Sequence, residues 1–229
     1  MKTWTYGEVR ALVEKELDLE EENFIQPSEM AQYCNEAIDE CEAEIHTLGL
    51  EDEYFLSSEP LAMVQGQQAY SMPSDIYANK IISIIHDDGS KKYPIKRVRG
   101  VNKFEKLAYV DASDDYSYII RNSSSAGVKI MLYPPAKTTD SSIVTIWYIR
   151  NLATVAEDVD VVEVPEFINF VRAYMKAKCM AKENMGEVPP GAAAELEQQR
   201  RQMNQTLMNM VPDGDNEIEV DQEFYQNHE

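Results

Sequence analysis

The feature that most constrains this chain is a change of period. Apolar residues recur every three or four positions as far as Gly49, give way to short β-type runs between about 61 and 150, and return to helical spacing after Val164-Pro165. Such a chain is neither a pure helical bundle nor a pure sheet protein. It reads as helices interrupted by a β insertion. Its 229 residues suit one large domain or a domain with a sizeable insertion, and 44% apolar content supplies a core.

The first helix is announced by a capping box, Thr5-x-x-Glu8, followed by Val9, Leu12, Val13 and Leu17. An acidic loop over residues 18–22 separates it from a second helix that opens at Pro27 and ends at Gly49. Met30, Tyr33, Cys34, Ala37, Ile38, Cys41, Ile45 and Leu48 form its apolar stripe, with acids on the other faces. Seven short strands follow, predicting an antiparallel sandwich or barrel. Residues 61–64 and 68–72 read as a hairpin around Gly66, residues 80–86 and 92–98 as a hairpin around Asp88-Gly89, and residues 116–121 and 128–133 as a third pair. Residues 143–150 close the set, and a short helix is expected at 102–107.

Helical spacing then predicts a helix from Pro165 to Asn184, stopping at Gly186, and another through Leu196, Gln199, Met203, Leu207 and Met210 with Arg200-Arg201 on its polar side. The expected class is α+β. N- and C-terminal helices form one bundle around Ile38, Cys41, Phe167, Phe170 and Tyr174, and an antiparallel β-domain is inserted between them. The expected divisions are 1–58, 59–150, 151–211 and an extended acidic arm over 212–229. The arm carries Ile218, Val220, Phe224 and Tyr225 among its carboxylates. It is either a disordered terminus or a segment that orders on a partner.

Net charge is −20. A surface so acidic disfavours reading nucleic acid through a basic patch. It fits a well-solvated surface, a wall past which DNA slides, or a mimic of DNA. No apolar run approaches the about 18 residues of a membrane span, and the N-terminus lacks a signal-peptide pattern. Cys34 and Cys41 lie seven positions apart on one helix, about 10 Å at 1.5 Å per residue, too far to bridge. With Cys179 they read as small buried apolar residues.

No catalytic or metal constellation emerges, and neither an enzyme nor a cofactor is expected. His46, His86 and His228 are isolated; Ser71, Ser74 and Asp75 lack a nucleophile elbow. Gly89-Ser90-Lys91 lacks the rest of a phosphate loop and reads as a turn. Asp213-Gly-Asp215-Asn-Glu217 starts like a calcium loop, but Ile218 stands where glycine is needed and Tyr225 where the closing glutamate belongs. Residues 111–115 read as a solvated acidic loop.

Several strings resemble the head–tail adaptors (connectors, or tail tubular proteins) of tailed, short-tailed bacteriophages. The run Gln67-Gln-Ala-Tyr-Ser-Met-Pro-Ser-Asp75 is similar to that family's strand ending in a Tyr-x-Leu-Pro-x-Asp turn, with Met72 for leucine. Gly127-Val-Lys-Ile-Met-Leu-Tyr-Pro-Pro-Ala136 resembles its Gly-headed strand ending in prolines, and Val164-Pro165-Glu166-Phe167 its return into a helix. The resemblance implies a virion structural protein at the head–tail junction, made in the host cytoplasm. It further implies a homo-oligomeric ring, a dodecamer, beneath the portal protein. Such a ring gives tail-nozzle proteins a platform, contacts no membrane, and passes double-stranded DNA without sequence-specific binding. From its composition rather than from the resemblance, the arm is expected to meet the portal through Ile218, Val220, Phe224 and Tyr225. The alternative is an acidic DNA mimic that occupies a DNA-binding protein.

Overall fold

The computed structural model describes residues 2–18, 24–87, 89–100, 116–123, 127–140 and 143–211. They fall into two compact units, one made of the segments up to Leu50 and from Ala153, the other of Glu51–Leu152. The mixture of helices and mainly antiparallel sheets is α+β, as expected.

In the first unit the described helices are α1 (Tyr6–Glu16), α2 (Pro27–Thr47), α4 (Ile168–Glu183) and α5 (Pro190–Met208). The capping box forms as read: Thr5 Oγ1 accepts from the Glu8 amide at 3.3 Å, and Glu8 Oε2 accepts from the Thr5 amide at 3.1 Å. The next amides of α1 donate to a distant loop, Tyr6 to the Asp160 carbonyl at 2.8 Å and Gly7 to the Asp158 carbonyl at 3.0 Å. Donors that a helix start leaves unpaired are thus satisfied. The same approach explains Gly7, since a Cβ there would lie 2.8 Å from Asp158 Cβ and 2.9 Å from its backbone oxygen. Alongside, β1 (Trp4–Thr5) pairs antiparallel with β10 (Val161–Val162), a contact too short for any sequence period to announce.

Helix α2 ends where glycine was read. Gly49 takes φ 71°, and the Leu50 amide reaches back to the Ile45 carbonyl at 3.1 Å, with both side chains buried. Helix α4 follows a 3₁₀ turn at Pro165–Phe167 and packs against α1, α2 and α5. Contact on several sides is why Ile168, Phe170, Val171, Ala173, Met175, Ala177 and Cys179 are all buried, more than one stripe requires. Arg200 departs from the expected polar face. It turns onto α2, pairs with Glu40, and lies 5.9 Å from the Phe170 ring centroid.

The second unit is a sandwich of two four-stranded sheets, preceded by the single turn α3 (Glu51–Tyr54). One sheet has the order β2-β9-β4-β5 (Leu56–Pro60, Val144–Arg150, Ile76–Asp87, Lys92–Pro94), all antiparallel. The other has the order β3-β8-β7-β6 (Ala69–Ser71, Gly127–Tyr133, Ser117–Ser123, Lys96–Arg97), parallel only between β6 and β7. Alternating Val144, Ile146 and Tyr148 of β9 share a core with Ile84, Tyr118, Ile130 and Leu132.

The β7–β8 hairpin matches the reading and β4–β5 forms, but the strand expected over 92–98 ends at Pro94. Proline breaks the ladder there, and Lys96–Arg97 cross to the other sheet. The hairpin around Gly66 does not form. Met63 bridges to Asp140, whereas β3 pairs with β8, so residues 61–68 carry the chain from one sheet to the other. The Tyr70 hydroxyl fastens this crossing by donating to the Gln67 carbonyl at 3.0 Å. Strand β4 begins earlier than expected, through an irregularity where Ala78 and Asn79 take φ 45° and 58°. The helix expected at 102–107 lies outside the described residues.

Three substitutions test the helical unit. Ile38→Ala and Phe170→Ala should each cost about 2–5 kcal/mol in denaturant unfolding, from lost burial and the cavity left behind. Gly7→Ala should destabilise as well, although alanine in an open helix would gain about 1 kcal/mol. Unchanged midpoints for all three would refute this packing.

Candidate functional site: two oppositely charged surfaces

The residues singled out for the helical core lie inside the first unit. Ile38, Cys41, Phe167 and Phe170 are buried, and half-buried Tyr174 donates its hydroxyl to Glu36 Oε2 at 3.3 Å. Cys41 Sγ lies 3.6 Å from Met203 Sδ on α5, and Cys179 Sγ lies 3.3 Å from Met30 Sδ on α2. These are contacts between polarizable sulfurs in apolar surroundings. Burial pushes Cys34 and Cys179 up to about 12 and raises Cys41 further, so the thiols stay protonated and unreactive.

Ile218, Val220, Phe224 and Tyr225 lie outside the described residues, as do Asp213, Asp215, Glu217, His228 and the loop at 111–115. His46 sits 3.7 Å from Glu42, one turn away. His86 is buried in the β unit, its ring 4.9 Å from Tyr93 and 5.2 Å from Tyr116. Asp75 accepts the Tyr148 hydroxyl at 2.8 Å, and Ser71 receives Lys129 Nζ at 3.0 Å. Gly89 takes φ 84° with its amide on Asp87 Oδ1 at 3.0 Å, a turn as read. Among the described residues no three His, Cys, Asp or Glu gather to hold a metal, and no helix is long and apolar enough to cross a membrane.

Charge is where the structure adds most. Residues 51–152 contain 12 acidic and 12 basic side chains, so the formal −20 belongs wholly to the other unit, with 29 acidic against 9 basic. Within the helical unit the cations are largely committed. Arg10 meets Asp158 at 2.8 Å, Lys178 meets Glu36 at 2.8 Å, and Lys182 meets Glu29 at 2.6 Å. Arg172 pairs with Glu16, and Arg200 with Glu40. The hydrogen bond from Lys178 holds Glu36 below the usual carboxylate range, and that from Lys182 does the same for Glu29. Solvent screening keeps such pairs individually weak, so their chief effect is to fix which carboxylates remain for outside partners.

Exposed Asp39 stands on the rim of a groove between α2 and the returning chain, beside Glu36, which Lys178 already pairs. Gln32, Asn35, Glu36 and Asp39 stand on one side, Val155 and Ala156 on the other. Asn35 ties the two walls, donating to the Val155 carbonyl at 2.9 Å and accepting its amide at 2.8 Å. One sheet of the β unit presents the opposite sign. The strands of sheet β3-β8-β7-β6 hold Lys96, Arg97, Arg121 and Lys129 and not one carboxylate. Lys96 aligns with Ser117, two steps of alternation from Arg121, and Arg121 stands opposite Lys129, so these three cations share a face. Reading the chain by its overall charge hides this sheet. The run Lys91-Lys-Tyr-Pro-Ile-Lys-Arg-Val-Arg99 is the signal that would have exposed it.

The buried thiols set an expectation for alkaline stability. Cys34 and Cys179 move from an ordinary 9 to about 12 on folding, and Tyr6 from 10 to about 12, chiefly through burial. The unfolded chain therefore loses these protons first. Stability from these groups is complete below about pH 9 and should fall as pH rises towards 12. Chemical denaturation across that range should show the decline, and Cys34→Ala should flatten it. A flat wild-type profile would contradict the burial of these groups.

Residues 4–219 of the chain match the family model described as SU10 adaptor protein. No curated protein matches the chain. The family match spans both helical segments and the β unit between them, and it bears out the resemblance to phage head–tail adaptors.

Proposed function

The chain belongs to the SU10 adaptor protein family, and from that premise we propose that it is the head-to-tail adaptor subunit of a short-tailed phage virion. In this reading copies form a closed ring, a dodecamer, beneath the portal. The ring continues the DNA channel and offers tail-nozzle proteins their platform. It works by shape and charge rather than by catalysis, without metal or cofactor. The observation that carries the proposal is the single uninterrupted match over residues 4–219.

The uneven charge supports a role in DNA passage. A helical unit carrying the whole −20 repels a phosphate backbone and lets duplex slide past without lodging. The arm over 212–229 lies mostly beyond the matched residues and is assigned to the portal on its composition. Phe224 and Tyr225 bring large apolar area with few rotors to freeze, and the flanking acids set docking register against basic groups.

Truncation after Met210 tests the assignment. Circular dichroism and the thermal midpoint of the free chain should stay nearly unchanged, while attachment to purified portals weakens. Phe224→Ala with Tyr225→Ala should reproduce much of that loss, by about 2 kcal/mol or more if both rings are anchors. A truncated chain that docks as tightly as the full one would move the portal contact away from the arm. A full chain that neither docks on portals nor assembles into phage heads would refute the adaptor reading itself.

A further inference from the structure

Building on the ring reading above, we propose that the acid-free sheet β3-β8-β7-β6 of one subunit seats on the acid-rimmed α2 groove of a second copy. The contact is head-to-tail. Three observations converge on it.

The first is local. Arg121 and Lys129 are direct cross-strand partners, with Lys96 on the same face. Like charges placed opposite each other destabilise an antiparallel pair, and an anionic partner removes that repulsion. Exposed Lys96, Arg97, Arg99 and Arg121 form no ion pair with a carboxylate among the described residues, in contrast to the cations of the helical unit.

The second is the groove. Exposed Asp39 stands on its rim beside the side-chain amide of Gln32, with exposed Glu157 just past its far wall, while Glu36 is already paired with Lys178. Carboxylates and an amide oxygen suit guanidinium and ammonium groups.

The third is a constraint on any ring. Subunits that each carry −20 repel one another unless the abutting surfaces differ in sign. A two-fold contact centred on the sheet would set its cations against their own copies. Matching the sheet to a different surface on the next copy without reciprocation is heterologous, and heterologous contacts form rings where the rotation between neighbours closes. The same complementarity sets register between neighbours and speeds their encounter.

Sedimentation of the full-length chain at low and high salt, with thermal midpoints as folding controls, tests the contact. Wild type should self-associate at low salt and dissociate as salt screens the charges. Lys96→Glu with Arg121→Glu should weaken association at least about tenfold, and Asp39→Arg with Glu157→Arg should do likewise. An equimolar mixture of the two variants should associate again, because each retains one of the complementary faces. The proposal is overturned by a monomeric wild type at low salt, by variants that assemble like wild type, or by a mixture that stays apart. It is equally overturned if the sheet variant loses duplex DNA binding while self-association persists, which would make the sheet a nucleic-acid surface. Precipitation of the sheet variant alone would reduce the cations to guards of an edge strand. Rings that form through these faces but never dock on portals would sink the adaptor reading and leave this contact standing.

Discussion

The helical unit depends on the burial of α4. This helix meets α1, α2 and α5, and its apolar positions extend around most of its circumference. Left alone, such a surface would aggregate; packed, it draws together segments from both ends of the chain. Sulfur-bearing side chains fill the seams, Cys179 against Met30 and Cys41 against Met203. They tolerate irregular gaps better than branched residues would. Charge is arranged outside that seam, so that Glu29 and Glu36 meet lysines of α4 while Asp39 stays exposed.

Segregation of charge between the units follows from the same arrangement. Helices that pack through an apolar stripe leave wide polar faces, and acids with internal lysine and arginine partners can crowd those faces without unfolding them. A sandwich whose inner faces make its core has only outer faces and edges on which to carry charge, and here those carry cations. The helical unit and the one acid-free sheet therefore offer different signs to the outside. That difference is what an assembling subunit needs if it is to meet its own copies through unlike surfaces.

Much of the fold was legible in the sequence because its signals are local. Thr5-x-x-Glu8, Pro27 and Gly49 each act within one helical turn, and each was found where its chemistry put it. The β4–β5 and β7–β8 hairpins were legible for the same reason. The failed hairpin around Gly66 shows the limit. Alternation identifies a strand's buried face but not the sheet it joins, and Tyr70 and Met63 serve one core from different pairings. The β1–β10 pair and the Gly7–Asp158 approach join residues about 150 positions apart and leave no periodic trace. Of the candidate sites, the helical core was readable from spacing, whereas the basic sheet vanished into an overall −20.

The insertion also sets an order of events during synthesis. The β unit is one contiguous stretch, Glu51–Leu152, and closes its core once β9 has emerged from the ribosome. Helix α2 is made earlier, yet its partner α4 begins only at Ile168. At translation speeds of about 5–20 residues per second the apolar stripe of α2 waits on the order of ten seconds for that partner. Throughout that interval its acids keep nascent chains apart by repulsion, before any lysine of α4 exists to pair with them. The side chains that ion-pair in the finished subunit thus protect solubility in the unfinished one.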